Sequence, residues 1–139
     1  MNESQFYRTL VEATPKDWMW QRIETTTALG VPDVNLFAPS LGEMWIETKL
    51  AKSGKTILRS PQYAWIMKRI YLGGKCAIVS RDRHFIHIWH KKFSVIPTAT
   101  DQRVMIIDEP QIRCTILTFR ENIQKVLTKR TRNIRKAKV

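Results

Sequence analysis

Apolar and polar positions along this chain switch between two periods, and the switches outline its elements. Between Glu3 and Ala13, Phe6, Leu10 and Val11 fall near one face, which predicts a short helix. Thr14-Pro15 interrupts it, and Asp17–Glu24, carrying Trp18 and Trp20, reads as a short helical or extended piece. Thr25–Gly30 is a loop. Val31–Phe37 reads as a strand with Pro32 near its start, where a missing N–H is tolerated. Pro39–Gly42 is a turn and Glu43–Leu50 a second strand, so the short connection predicts an antiparallel hairpin. A polar loop, Ala51–Leu58, leads to Ser60-Pro61, which opens a helix with Ser60 as its cap. Tyr63, Ile66, Met67 and Ile70 then recur at i, i+3, i+4, i+7, and Gly73-Gly74 stops the helix. Cys76–Ser80 and Phe85–Trp89 are apolar strands joined by the turn Arg81–His84. The predicted order is α, β, β, α, β, β.

Beyond Lys92 the pattern loosens. Phe93–Gln102 reads as a loop, while Val104–Ile107 and Ile112–Thr118 are compatible with strands. Thr118 to Glu121 fits a capping box, which predicts a helix from Phe119 towards Arg132. The expected organisation is an α/β core over residues 1–118, followed by a basic C-terminal helix and tail over 119–139.

Charge then narrows the partners. The chain has 139 residues, with 24 Lys and Arg against 12 Asp and Glu, a net charge of +12. From Arg120 onward eight basic residues face Glu121 alone, so a surplus of seven sits at the C-terminal end. Such a surplus repels itself and calls for an anionic partner. Nucleic acid comes first, then an anionic membrane surface or a ribosomal setting. The polar N-terminus lacks the apolar core of a secretory signal, and no apolar run approaches the ~20 residues of a membrane span. The expectation is an intracellular protein with no membrane partner. Cys76 and Cys114 lie in apolar stretches without ligands at metal spacing, so they read as small buried hydrophobes. His84 and His90 share a strand face that His87 does not, so the three do not converge on a metal ion.

The candidate chemistry lies in Pro32-Asp33 and Glu47-Thr48-Lys49. Residues two apart on a strand share a face, so Glu47 and Lys49 point the same way while Met44, Ile46 and Thr48 face a core. Asp33, on the neighbouring strand of the hairpin, joins them in a suitable register. Two carboxylates can hold Mg²⁺ (or Mn²⁺), a hard cation that prefers oxygen ligands and keeps waters. The backbone carbonyl of Thr48 is a further candidate ligand. A lysine beside the ion can orient a nucleophile or stabilise developing negative charge. Arg22, Lys52, Lys55 and Arg59 flank this site in loops and are candidate phosphate contacts, as are Lys129, Arg130 and Arg132 in the tail.

Asp33, Glu47-Thr48-Lys49 and their αββαβ setting resemble the PD-(D/E)xK nuclease superfamily. More narrowly, RIETTTALGVPDVNLF, MWIETKL and LRSPQYAWIMKR look like its small phage-type and Holliday-junction-resolvase-like endonucleases. The motif-bearing part spans residues 3–90. The resemblance implies a restriction-endonuclease-like fold, with a central mixed sheet flanked by helices. It implies that Asp33 and Glu47 are metal ligands, that Lys49 is the catalytic lysine and that Gln62 assists. An upstream acid completes such sites. Glu24 qualifies by proximity in sequence and Glu3 as a helix-borne acid, and the sequence leaves both open. The implied function is Mg²⁺-dependent DNA endonuclease activity on structured or branched DNA, in a homodimer with a Trp-rich apolar interface. A phage origin, also implied, would place it in the host cytoplasm. The rival reading is a non-catalytic nucleic-acid-binding protein on the same fold.

Overall fold

The computed structural model describes residues 1–23 and 29–128. Helix α1 (Glu3–Glu12) begins on Asn2, whose side chain accepts from the Gln5 N–H while Gln5 returns the bond. That reciprocal cap satisfies two donors the helix leaves open. Phe6 and Leu10 of α1 are fully buried, as their spacing predicts.

A six-stranded sheet follows: β1 (Met19–Arg22), β2 (Val34–Ala38), β3 (Gly42–Leu50), β5 (Cys76–Asp82), β6 (Phe85–Trp89) and β9 (Ile112–Cys114), side by side in that order. β3 and β5 run parallel and every other neighbouring pair is antiparallel, so the sheet is mixed. The parallel pair needs a crossover, supplied by β4 (Ile57–Arg59) and α2 (Ser60–Tyr71). β4 joins β8 (Val104–Ile107) and β7 (Val95–Pro97) in a separate three-stranded antiparallel sheet. A 3-10 turn (Ile116–Thr118) leads into α3 (Phe119–Thr128).

Two apolar clusters lie on the two faces of the large sheet. α1 and α3 cover one, where Phe6, Leu10, Phe119 and Ile123 pack on Met44, Ile46 and Val79. α2 and the small sheet cover the other, where Ile66, Leu58 and Ile107 pack on Cys76, Ile78 and Trp89. The result is the expected α/β architecture, a central mixed sheet flanked by helices. Cys76 and Cys114 are free thiols, buried as expected. Among the described residues no helix is long and apolar enough to cross a membrane.

Several local expectations are corrected. Residues 19–22 take the extended of the two expected forms, as an edge strand on β2, whereas β4 and β7 lie in segments expected to be loops. Each has only three or four residues, too few to display a period; pairing, not pattern, makes them strands. Asp33 stands at a bend just before β2 instead of inside it. Ser60 is the first residue of α2 and not its cap; the side chain of Gln62 serves that end by accepting from the Arg59 N–H at 3.0 Å. Thr118 makes no capping box with Glu121, because its hydroxyl turns back to the Thr115 carbonyl. The five tryptophans do not form an exposed apolar face. Trp18 and Trp20 pack against the α1 side, and Trp45, Trp65 and Trp89 belong to the α2 side. The basic positions Lys129, Arg130 and Arg132, and the candidate Glu24, lie outside the described residues.

Candidate active site

Strand parity builds the site. β3 buries Met44, Ile46 and Thr48 towards α1 and α3, so Trp45, Glu47 and Lys49 project towards α2. Register sets Val34 opposite Ile46, which brings Asp33, one residue earlier, level with Glu47. The backbone there is fixed on both sides: the Ile23 N–H donates to the Asp33 carbonyl at 2.7 Å.

Among the described residues, Thr48 holds the Asp33 carboxylate through both oxygens. Its Oδ1 accepts the Thr48 backbone N–H at 3.0 Å and its Oδ2 accepts the Thr48 hydroxyl at 2.7 Å. Thr48 was expected to contribute only a carbonyl and a core-facing side chain. Its side chain is indeed buried, but the chain bends at Asp33, so the carboxylate reaches round the end of β2 to meet it.

Glu47, Lys49 and Gln62 form a closed triangle. Lys49 Nζ lies 3.5 Å from Glu47 Oε2 and donates to Gln62 Oε1 at 3.2 Å, while Gln62 Nε2 donates to Glu47 Oε2 at 3.2 Å. Glu47 is only 5% exposed. Burial pushes its carboxyl up to about 7, and the negative charge of Asp33 pushes the same way. The Lys49 charge, a hydrogen bond from Lys49 and one from the Asp33 backbone pull it back in part. A buried carboxyl whose ionisation a second carboxylate makes costlier is a place where a cation is stabilising.

Loop packing ties Asp33 to Gln62. Gly30 has φ +83, and a Cβ on it would overlap the Pro61 carbonyl in the first turn of α2. Only glycine lets the segment leading to Asp33 lie against the turn that carries Gln62.

α1 supplies a residue the sequence reading missed. Burial raises the Tyr7 phenol above its ordinary range, Arg22 opposes that, and Asp33 adds to it. Arg22 stacks over the Tyr7 ring at 5.3 Å and donates to Ser4 Oγ at 3.2 Å. The exposed Glu3 stands one helical turn before Tyr7, on the same side of α1. A tyrosine four residues from the candidate acid Glu3 was the available signal.

Of the candidate phosphate contacts, Arg22, Lys52, Lys55 and Arg59 are all exposed. Lys52 and Lys55 close a tight loop after β3 through paired backbone bonds of 2.8 and 3.0 Å. Arg59 stands at the head of α2 beside Gln62. Among the described residues no cluster of three or more His, Cys, Asp or Glu side chains is gathered to hold a metal ion. The oxygen donors present still suit magnesium, which is commonly bound by one or two carboxylates, retained waters and substrate phosphate.

No protein-family model matches the chain, and no curated protein matches it. Among solved structures it is similar to Hjc, a Holliday junction resolvase from the archaeal hyperthermophile Archaeoglobus fulgidus. The alignment covers 83% of this chain and 96% of that one, with a TM-score of 0.54 and 15% identity. The two chains share a fold.

Proposed function

We propose that this protein is a metal-dependent DNA endonuclease of the PD-(D/E)xK type, acting on structured or branched DNA. The observation that carries the reading is the Glu47–Lys49–Gln62 triangle at the open end of the β2–β3 hairpin, with Asp33 near enough for its charge and backbone to act on Glu47. A surface ion pair would not explain a glutamate this buried, whose carboxyl sits at about 7. The resolvase fold supports a branched substrate, as does the basic surplus for a nucleic-acid partner.

Asp33, Glu47 and the Thr48 carbonyl would hold a magnesium ion, with Glu3 or Glu24 as a further donor. When bound, the ion acidifies a water and neutralises phosphate charge. Thr48 fixes both oxygens of Asp33, which sets the direction of its remaining lone pairs. Lys49 presents an ammonium to the attacking water or to the charge that develops on phosphorus-bound oxygen. Gln62 holds Lys49 and Glu47 at a fixed separation, so neither reorganises when substrate arrives. Arg22, Lys52, Lys55 and Arg59 grip flanking phosphates and carry no sequence preference. Cutting both strands of a junction takes two such sites, so the active form is a homodimer, checked by light scattering.

The deciding experiment incubates the protein with linear, nicked and four-way-junction DNA, with Mg²⁺ or with EDTA. Junction cleavage that requires Mg²⁺, abolished by Asp33→Asn and by Lys49→Ala while binding persists, is the expected result. Salt-sensitive binding with no metal-dependent cutting would replace the enzyme with a binding protein.

A further inference from the structure

The sheet face that carries Glu47 and Lys49 continues past them. Register carries Lys49 sideways to Ser80 on β5, to His87 on β6 and to Arg113 on β9. The adjoining row runs from Glu47 to Ile78 to Trp89. Here the surface opens into a cavity of about 400 Å³. Its inner wall is Trp89, Ile107 and Thr56, all nearly fully buried, with His87 half-buried beside them. Lys55, Asp108 and Glu109 are exposed at its rim.

The lining mixes aromatic, aliphatic and polar side chains. The His87 and Trp89 rings meet edge to face, with centroids 6.1 Å apart. Trp89 Nε1 is spent on the Asp108 carbonyl at 3.1 Å, and the Thr56 and Ser80 hydroxyls are spent on each other at 2.7 Å. His87 Nε2 is buried and has no hydrogen-bond partner. Burial holds its imidazole below the ordinary range, and the half-buried ring lines the cavity. Two carboxylates beside one lysine at the rim repel a phosphate, whereas the exocyclic amines and ring nitrogens of a base suit them. The size is that of a small-molecule site.

Strands lie about 4.8 Å apart, so His87 is about 10 Å from Lys49 across the sheet. Stacked nucleotides rise 3.4 Å each along a strand, so that distance is about three steps, and fewer where the strand is unstacked. The geometry points to a second site: the cavity takes one unpaired nucleobase, one to three nucleotides from a phosphate held at Lys49. DNA with an unstacked base is then bound in preference to continuous duplex. The position of the strand rests on the nuclease reading of Lys49; the preference for a base does not.

The test is binding by fluorescence anisotropy in EDTA. The probes are a duplex with a single-nucleotide bulge, the same duplex with an abasic bulge, and a continuous duplex. The parent binds the base-bearing bulge about tenfold more tightly than the abasic one, within the range of base–aromatic stacking. His87→Ala removes that ratio and His87→Phe, which keeps a flat face, retains it. Lys49→Ala retains it too. A photoreactive 5-iodouracil in the bulge crosslinks to the peptide holding Trp89 or to that holding Pro110. Equal binding of both bulges, or a ratio unchanged by His87→Ala, overturns the site. A preserved ratio in a protein that never cuts supports the cavity and refutes only the nuclease.

Discussion

Replacing Glu47 by Gln keeps the side chain's volume and the oxygen that accepts from Gln62, and removes the buried charge. The folded carboxyl sits at about 7 against an ordinary 4.5, chiefly because burial disfavours its charged form. That difference corresponds to about 3 kcal/mol. Its sign follows from linkage. Below pH 4.5 the glutamate is protonated in both states and costs nothing. Between 4.5 and about 7 the unfolded chain ionises while the folded one does not, so the parent loses stability relative to the variant as pH rises. Above about 7 both are ionised and the deficit is constant. Urea denaturation in EDTA at pH 4, 5, 6, 7 and 8.5 measures it, and Glu47→Gln should be the more stable protein at pH 8.5 by about 3 kcal/mol. Adding Mg²⁺ at a hundred times its dissociation constant should restore about 2.7 kcal/mol to the parent and much less to the variant. A parent-minus-variant difference that is flat with pH, or that favours the parent at pH 8.5, would refute the account of Glu47.

Other residues yield separate tests. Thr48→Val keeps the shape and deletes the hydroxyl that holds Asp33 Oδ2, so metal affinity measured by calorimetry should fall about tenfold, with Thr48→Ser restoring most of it. Gly30→Ala should cost about 1–2 kcal/mol from its left-handed backbone alone, seen in denaturation midpoints. By displacing the turn of Gln62 it should also slow cleavage. Cys76, whose thiol burial pushes up to about 12, should resist thiol reagents at pH 8 until denaturant is added; rapid labelling of the folded protein would contradict its place in the core.

The chain announces its long elements and hides several of its short ones, although β8 and the start of β9 show in its apolar runs. α1, α2 and the β2–β3 hairpin show because each is long enough for its period to repeat. β1, β4 and β7 have three or four residues and exist through their partners, Val34–Phe37 for β1 and Val104–Ile107 for the other two. The same division holds in the site. Parity alone places Glu47 and Lys49 together, and the hairpin adds Asp33. The Thr48 hydroxyl on Asp33, the approach of Tyr7 and the fit of Gly30 against Pro61 depend on how a bend, a helix and a loop pack. No local pattern encodes those angles.

β3 carries the core on its even residues and the chemistry on its odd ones. A single inserted or deleted residue between Gly42 and Glu47 would send Ile46 to the site and Glu47 into the apolar layer. A change in length should therefore be tolerated in the turn before β3 or in the Lys52–Lys55 loop after it, and not between them. Within the strand, a same-period substitution keeps each face in place and a change of length does not, so the fixed quantity is the spacing from Gly42 to Lys49.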